Sequence, residues 1–173
     1  MVLASRIRCR HRRGAVVGGA YVPLCIFIRL RATASGLAGS GAANVSFPLN
    51  ASERDGSPLR FGRHGDYRAY EDSAGYVVTL AGGGWSAGSR LHRDPGFERL
   101  SESSPRLFRE SGCELVLTLV DGRLRGYLDG RRIHNVRDDD PHRRGKFGLG
   151  AFGSDLRVDE IEIGRVLPES ARE

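Results

Sequence analysis

Lysine is almost absent from this chain of 173 residues. Lys146 is its single lysine, so nearly all of the 27 basic residues are arginines. The formal net charge is +6, and the segment Arg6–Arg13 ("RIRCRHRR") holds five arginines and no acid, which leaves about +1 (6 − 5) for the rest. Because nucleic-acid binding requires a basic patch on the folded face, this nearly neutral remainder argues against a nucleic-acid partner.

Cysteine is also scarce, and the three that occur have no CxxC spacing. Cys9, Cys25 and Cys113 allow at most one internal disulfide and suggest no zinc site, so the redox compartment stays open. The acidic run "RDDDP" (Arg137–Pro141) offers oxygen ligands of the kind that Ca²⁺ prefers. Consecutive aspartates need a tight loop to face one ion, however, and we expect a turn here, with no metal and no cofactor.

Several enzyme signatures are missing. There is no GK[ST] sequence after a glycine-rich loop, no GxSxG nucleophile motif and no ExDxxE carboxylate pattern. The triplet Gly82–Gly84 is followed by no helical pattern, whereas a dinucleotide-binding loop opens a helix. The sequence therefore gives little support for nucleotide binding or for triad chemistry.

No hydrophobic run is long enough to span a bilayer, so no membrane span is predicted. The longest, Gly14–Ile28, has two interpretations. It follows a basic stretch and precedes "ATA" at Ala32–Ala34, as in a signal peptide, but Tyr21–Ala32 also alternates like a strand. Arg29 and Arg31 stand where a cleavage region should be neutral, which favours the strand. Localisation stays open between the cytoplasm and a secreted or periplasmic location.

Helical periodicity is absent, and alternation with period two dominates. Its runs are separated by glycine-rich turns every eight to twelve residues, which predicts an all-β sandwich or barrel. The alternating runs are Val22–Ala32, Val45–Leu49, Tyr76–Leu80, Leu115–Leu119, Leu124–Leu128, Phe147–Ala151 and Leu156–Ile163.

Local signals refine this prediction. The Asp-Gly pairs in Val120–Arg123 and Leu128–Arg131 predict two tight hairpins and a three-stranded meander over about Cys113–Val136. The apolar face changes sides near Asp159, which predicts a bulge. Pro48 argues for an edge or a strand end, because it cannot donate to a ladder.

The domain organisation expected is simple. Residues 1–13 form a basic N-terminal segment predicted to be disordered, residues 14–167 a single β-sandwich domain, and residues 168–173 a C-terminal tail.

Aromatic and polar side chains collect in two neighbouring segments, "RFGRHGDYRAYEDSAGY" and "GYVVTLAGGGWSAGSRLHR". Aromatic rings stack on the apolar faces of sugars, and guanidiniums bind hydroxyl rims or a uronate carboxylate. The alternative is that Tyr76 and Trp85 belong to the core and that the charges decorate a solvated loop. The residues selected as candidate ligands are Arg63, Tyr67, Tyr70, Trp85, Arg90 and Arg93.

The order of these motifs resembles the concanavalin A-like lectin/glucanase superfamily, in particular poorly characterised bacterial domains associated with polysaccharide degradation. The stretches that carry the resemblance are "NVSFPLNASERDGSPL", "RHGDYRAY", "GYVVTLAGGGWSAGSRLHRDPGF" and "YLDGRRIHNVRDDDP…GKFGLGAFGSDLRVDEIEI", over about Asn44–Ile163. The resemblance implies an antiparallel two-sheet jelly roll whose concave face is lined by Asn44, Tyr67, Tyr70, Arg90 and Arg93. Such domains carry more N-terminal strands than the region before Asn44 supplies, so one sheet edge is expected to be incomplete.

Three functions are compatible with this sequence. The first is a carbohydrate-binding or carbohydrate-processing accessory domain for a polysaccharide or oligosaccharide, with uronate among its sugars. The second is a lyase or hydrolase of the same fold, in which His64 or Tyr67 abstracts a proton while Arg90 neutralises a uronate. The third is a structural or protein-interaction sandwich that forms a homodimer through an exposed sheet edge. Whether the protein is an enzyme stays undecided.

Overall fold

Two antiparallel sheets make up the described part of the computed structural model, which comprises residues 4–7, 21–22, 26–35, 44–59, 73–81, 88–104, 112–152 and 154–166. Strands are numbered in chain order. Sheet A contains β1 (Ala4–Ile7), β3 (Ile26–Ser35), β8 (Cys113–Val120), β9 (Arg123–Leu128), β10 (Arg131–Arg137) and β13 (Asp155–Arg165). Sheet B contains β2 (Tyr21–Val22), β4 (Asn44–Glu53), β5 (Ser73–Ala81), β6 (Gly88–Asp94), β7 (Glu98–Ser103), β11 (Gly145–Lys146) and β12 (Gly150–Phe152).

The spatial order of sheet A is β1-β13-β3-β8-β9-β10. That of sheet B is β2-β11-β4-β5-β6-β7, and β12 also pairs with β4. Every strand pair is antiparallel. The predicted all-β jelly-roll sandwich is therefore confirmed.

The core lies between the sheets and follows directly from alternation. On β8, Leu115, Leu117 and Leu119 are at most 1% exposed, while the residues between them are half-buried. On β4, Phe47 and Leu49 meet this layer from sheet B and are fully buried. Burying each such side chain contributes about 1.5–3 kcal/mol, so the period-two pattern explains both the strands and the packing of the sheets.

Both predicted hairpins are present. Asp121 and Gly122 have φ of 48° and 75°, and Asp129 and Gly130 have φ of 48° and 76°. Two successive residues with positive φ are the signature of the turn whose twist matches paired strands. The predicted bulge is also confirmed, because the register of β13 against β3 shifts between Val158 and Glu160.

The N-terminal region contributes more than the sequence predicted. Ile28, Leu30 and Ala32 of β3 lie in the core, and β3 sits between β13 and β8, so the strand interpretation holds for these residues. Residues 4–7 form β1, although disorder was expected there, because the edge of β13 offers unpaired backbone groups with which they pair. Among the described residues, three strands thus precede Asn44. No helix in the described residues has the length and apolarity that crossing a bilayer would require.

Pro48 lies within an interior strand, not at an edge. It pairs with Val77 of β5 on one side, and on the other its carbonyl accepts a hydrogen bond from the N–H of Gly148. Gly148 lies between β11 and β12, where the ladder beside β4 is interrupted. The missing N–H of proline therefore falls at this interruption, which is how an interior strand accommodates it.

Cys113 is the cysteine that the structure describes, and it is free and buried. Burial, together with the nearby charge of Asp129, raises the pKa of its thiol to about 12. Cys9 and Cys25 lie outside the described residues.

Candidate functional site

A row of polar side chains crosses the outer face of sheet B, the face that points away from sheet A. Cross-strand register pairs Ser46 with Thr79, Thr79 with Arg90, and Arg90 with Glu102. Registered partners share a face, and the alternate residues Val45, Leu80 and Leu91 point into the core. We call Ser46, Thr79, Arg90 and Glu102 the polar row.

The polar row is held by hydrogen bonds and ion pairs. The hydroxyls of Ser46 and Thr79 lie 3.4 Å apart, and the Ser46 hydroxyl donates to Oδ1 of Asn44 at 3.4 Å. Arg90 donates from Nε and Nη2 to Oε1 of Glu102, each at 3.3 Å. Arg99 donates to the other oxygen, Oε2, at 2.8 Å. Two guanidiniums thus flank one carboxylate.

Phe152 stands at the β12 end of this face. Register pairs it with Asn44 at the start of β4, so both side chains lie on the outer side of sheet B. Its side chain is 52% exposed and is the exposed large hydrophobic residue of the described part of the chain. Phe152 was not among the predicted site residues, although the sequence carries a signal for it. In "KFGLGAF" the buried phase runs through Phe147 and Leu149, which places Phe152 on the opposite face.

A stacked pair of rings closes the other side of the polar row. The rings of His92 and Phe97 are 3.8 Å apart and 13° from parallel. His92 is 6% exposed. Burial, reinforced by the charges of Arg90 and Arg99, lowers the pKa of His92 to about 4. This imidazole is therefore neutral at pH 7, and the Phe97 ring is already covered by it.

Arg93 lies on the opposite face of β6 from Arg90. Side chains alternate along β6, and Arg93 follows Ser89 and Leu91 toward sheet A. Its Nε is 3.0 Å from Oδ2 of Asp138, and its Nη2 donates to the backbone carbonyl of Asp140 at 2.8 Å. The structure therefore brings Asn44 and Arg90 together on one face but places Arg93 in a separate cluster.

That cluster anchors the segment after β10 to the end of the sandwich. The Tyr76 hydroxyl donates to Oδ2 of Asp138 at 2.7 Å and accepts from the backbone N–H of His142 at 3.2 Å. Burial raises the pKa of Tyr76, and the hydrogen bond to Asp138 adds to this effect. Burial likewise lowers the pKa of His142, with a further contribution from Arg93. Tyr76 is fully buried, as the core interpretation of this residue predicted.

A bulge in β4 supports the same cluster. The β4–β5 register shifts between Leu49 and Ser52, and Asn50 there has φ of 50°. Its Nδ2 donates to the carbonyl of His142 at 2.7 Å. Gly75 and Gly145 press against the Asn50 backbone so closely that a Cβ on either would overlap backbone atoms. Glycine is therefore required on both sides of the bulge.

The remaining predicted site residues, Arg63, His64, Tyr67, Tyr70 and Trp85, lie outside the described residues. Their placement relative to the polar row stays a prediction. No group of three or more His, Cys, Asp or Glu side chains in the described ranges is arranged to hold a metal ion. Asp138 and Asp140 of the acidic run instead contact Arg93.

Comparisons with solved structures identify the fold. A Bacillus subtilis protein of unknown function with a galectin-like fold superposes with a TM-score of 0.76 at 13% identity, over 95% of this chain and 98% of that one. The carbohydrate-binding module CBM66 from Bacillus subtilis superposes with a TM-score of 0.63 at 13% identity, over 95% of this chain and 94% of that one. A legume lectin-like domain from Entamoeba histolytica superposes with a TM-score of 0.66 at 12% identity, over 94% of this chain and 84% of that one.

No sequence-family model and no curated protein matches the chain. At these identities the structural likeness establishes the fold, which is that of the concanavalin A-like lectins, as the order of sequence motifs implied.

Proposed function

We propose that the protein is a carbohydrate-binding accessory domain and that the outer face of sheet B holds an oligosaccharide. The observation that carries this proposal is the exposed ring of Phe152 next to Asn44, on the face that also carries the half-buried Thr79 and Arg90. An aromatic ring offers the apolar surface on which a sugar face stacks, and the polar groups offer hydrogen bonds to its hydroxyls.

The dimensions of the face support an extended ligand. Phe152 and Arg90 are separated by three strand spacings, through β4 and β5, and by two residues along the strands, or about 16 Å. An oligosaccharide covers this distance, whereas a single sugar does not. The comparisons are consistent with this use, because CBM66 is by its description a carbohydrate-binding module of the same fold.

The charge of the face favours an acidic sugar. The Arg90 side chain is 18% exposed, and its two hydrogen bonds to Glu102 hold the guanidinium in place. A preorganised guanidinium loses little conformational entropy when it binds a carboxylate. Arg99 contacts the same acid, and we propose a uronate, bound by these guanidiniums, as the preferred sugar at this end of the site.

Substitution Phe152→Ala is expected to weaken oligosaccharide binding about tenfold, the size of a lost aromatic contact, with little effect on stability. The ring is half in solvent, so little buried packing is lost with it. Calorimetric titration with polysaccharide fragments measures the affinity. The control is Ile163→Ala, which removes a half-buried apolar side chain from β13 of sheet A. Equal affinities for wild type and Phe152→Ala would contradict the stacking role.

Substitution Arg90→Gln is expected to reduce the preference for uronate-containing over neutral oligosaccharides about tenfold, because a charge-assisted hydrogen bond is replaced by a neutral one. Titration of matched neutral and acidic fragments gives the ratio. The control is Arg31→Gln, since Arg31 lies on β3 of the opposite sheet. An unchanged ratio in Arg90→Gln would exclude this arginine as the uronate contact.

A further inference from the structure

The outer face of sheet A divides into two halves of different charge. On β3 and β13, basic residues meet acidic partners. Arg29 lies 3.5 Å from Glu162, and Arg31 lies 3.3 Å from Glu114 and 3.9 Å from Glu160. In this half Arg29, Arg31 and Arg157 are therefore each paired with an acid.

The half formed by β9 and β10 carries arginines instead. We call Arg123, Arg125, Arg132 and Arg137 the arginine face. They alternate with buried residues such as Leu124 and Leu128, which places them on the side away from the core. Within the described part of the chain, Arg123, Arg125 and Arg132 form no ion pair.

Register brings like charges together in this half. Arg123 on β9 stands directly opposite Arg137 on β10. Like charges in such a pair are destabilising. The ion pair that relieves it, between Arg137 and Asp139 at 3.1 Å, joins two side chains that are 61% and 92% exposed and is therefore weak. Arg123 and Arg137 therefore stand side by side although their mutual repulsion lowers the stability of the sheet.

The acidic residues nearest to the arginine face lie at its ends and not between its arginines. Asp121 and Asp129 lie in the turns at its two ends. The Asp129 carboxylate accepts a hydrogen bond from the backbone N–H of Glu114 at 2.8 Å, and the Glu114 carboxylate contacts Arg29 and Arg31. The surface between these turns therefore stays positive.

An aromatic ring is interleaved with the arginines. Tyr127 is half-buried and pairs across strands with Arg132. One strand further, Phe27 stands opposite Thr118, whose other partner is Arg125. The Cα atoms of Arg123 and Arg125 along β9 are about 7 Å apart, and those of the paired Arg123 and Arg137 about 5 Å apart. A flexible chain with closely repeated negative charges and apolar ring faces matches this spacing.

We propose that the arginine face is a second binding surface, specific for a polyanionic polysaccharide that carries sulfate or carboxylate groups. Guanidinium forks match both groups bidentately, and the aromatic ring offers a stacking surface for a sugar. The face is a flat sheet surface, whereas sequence readers of duplex DNA insert a helix or ribbon into a groove. The surface lies on the opposite sheet from Phe152 and Arg90 and does not depend on the proposed function of that face.

The test uses a heparin oligosaccharide as the probe. The triple variant Arg123→Gln, Arg125→Gln, Arg132→Gln is expected to bind it about 100-fold more weakly at 0.15 M salt, because each charge contact contributes a factor of about 5 under counterion release. The slope of log affinity against log salt should fall by about three. If the triple variant fails to fold, Arg132→Gln alone, at an exposed position, is expected to lose about fivefold.

The control triple Arg29→Gln, Arg31→Gln, Arg157→Gln removes the same charge from the paired half, where Arg157 contacts Asp159 at 3.1 Å. It should bind heparin almost as wild type does. Equal losses in both triples, or no heparin binding by wild type, would overturn the proposal. So would tighter binding to duplex DNA or to phosphatidylserine vesicles than to heparin at equal salt. Neutral oligosaccharide binding should be the same in both triples, which separates this result from a failure of the sheet B site.

Discussion

Lowering the pH from 7.5 to 5 is expected to reduce the free energy of unfolding by about 4 kcal/mol. The cause is a pair of buried histidines, His92 and His134, whose pKa values in the folded protein are each about 4, against an ordinary value of 6.5. Each contributes about 2 kcal/mol of this loss by proton linkage.

Burial is the main cause in both cases, and for His134 the nearby His92 adds to it. His134 is 2% exposed between the sheets, where its Nε2 lies 2.6 Å from the Ser89 hydroxyl and its Nδ1 lies 3.0 Å from the Ser101 hydroxyl. These two hydrogen bonds give both ring nitrogens of the neutral, buried imidazole a partner. Below pH 6.5, each of these two histidine rings therefore binds a proton in the unfolded chain but stays neutral in the folded protein until the pH approaches 4.

The sign of the effect follows from this difference. The stability that the neutral rings confer is complete above pH 6.5 and is lost as the pH falls toward 4. The burial of His142, which also lowers its pKa, acts in the same direction. Urea unfolding at a series of pH values measures the free energy, and ring-proton NMR titration measures the histidine pKa values directly.

Replacement of His134 by glutamine, which can still hydrogen-bond but does not titrate, should remove about half of the drop between pH 7.5 and 5. A full drop in His134→Gln would assign the acid sensitivity to other groups. Titration of the His92 and His134 rings near pH 6.5 in the wild-type protein would contradict the assignment of the acid sensitivity to their burial.

Substitution Asp138→Ala is expected to destabilise the protein by about 3 kcal/mol. The Asp138 side chain is 9% exposed and is shared by the Tyr76 hydroxyl and the Arg93 guanidinium. Its loss leaves a buried hydroxyl and a largely buried cation without their partner, and such removal of one member of a buried pair costs about 3–5 kcal/mol. Because Arg93 is 29% exposed, solvent compensates part of this cost, which places the expectation at the lower end.

A neighbouring acid supplies the control. Asp139 is 92% exposed and contacts the exposed Arg137, so Asp139→Ala should change stability by less than about 0.5 kcal/mol. Urea unfolding of both variants at pH 7.5 gives the comparison. Similar effects of the two substitutions would show that the Tyr76–Asp138–Arg93 contacts add nothing beyond surface charge.

Much of the fold could be predicted because its signals are local. The Asp-Gly pairs at 121–122 and 129–130 set the backbone of two hairpins, and a change of apolar phase near Asp159 marked a bulge that the β13 register contains. These features depend on a few adjacent residues. Pro48 was misplaced at an edge because the break beside it lies on strands about a hundred residues away, between β11 and β12.

The candidate site could be predicted only in part, for the same reason. Alternation placed Arg90 and Arg93 on different faces in principle, yet the motif order grouped them, and only the structure shows Arg93 directed toward Asp138. Phe152 was overlooked because its partner Asn44 is 108 residues away in the chain (152 − 44), and register alone makes them neighbours.

The sequence by itself determined that this chain forms strands, where its tight turns fall and which residues of each strand are buried, because these depend on side chains two to four positions apart. The tertiary structure decided which strands are neighbours. It thereby decided that Phe152, Asn44 and Arg90 share one face, and that several arginines gather on β9 and β10 of the other sheet. Cross-strand register brings distant positions within a few ångströms of each other, and no local pattern specifies it.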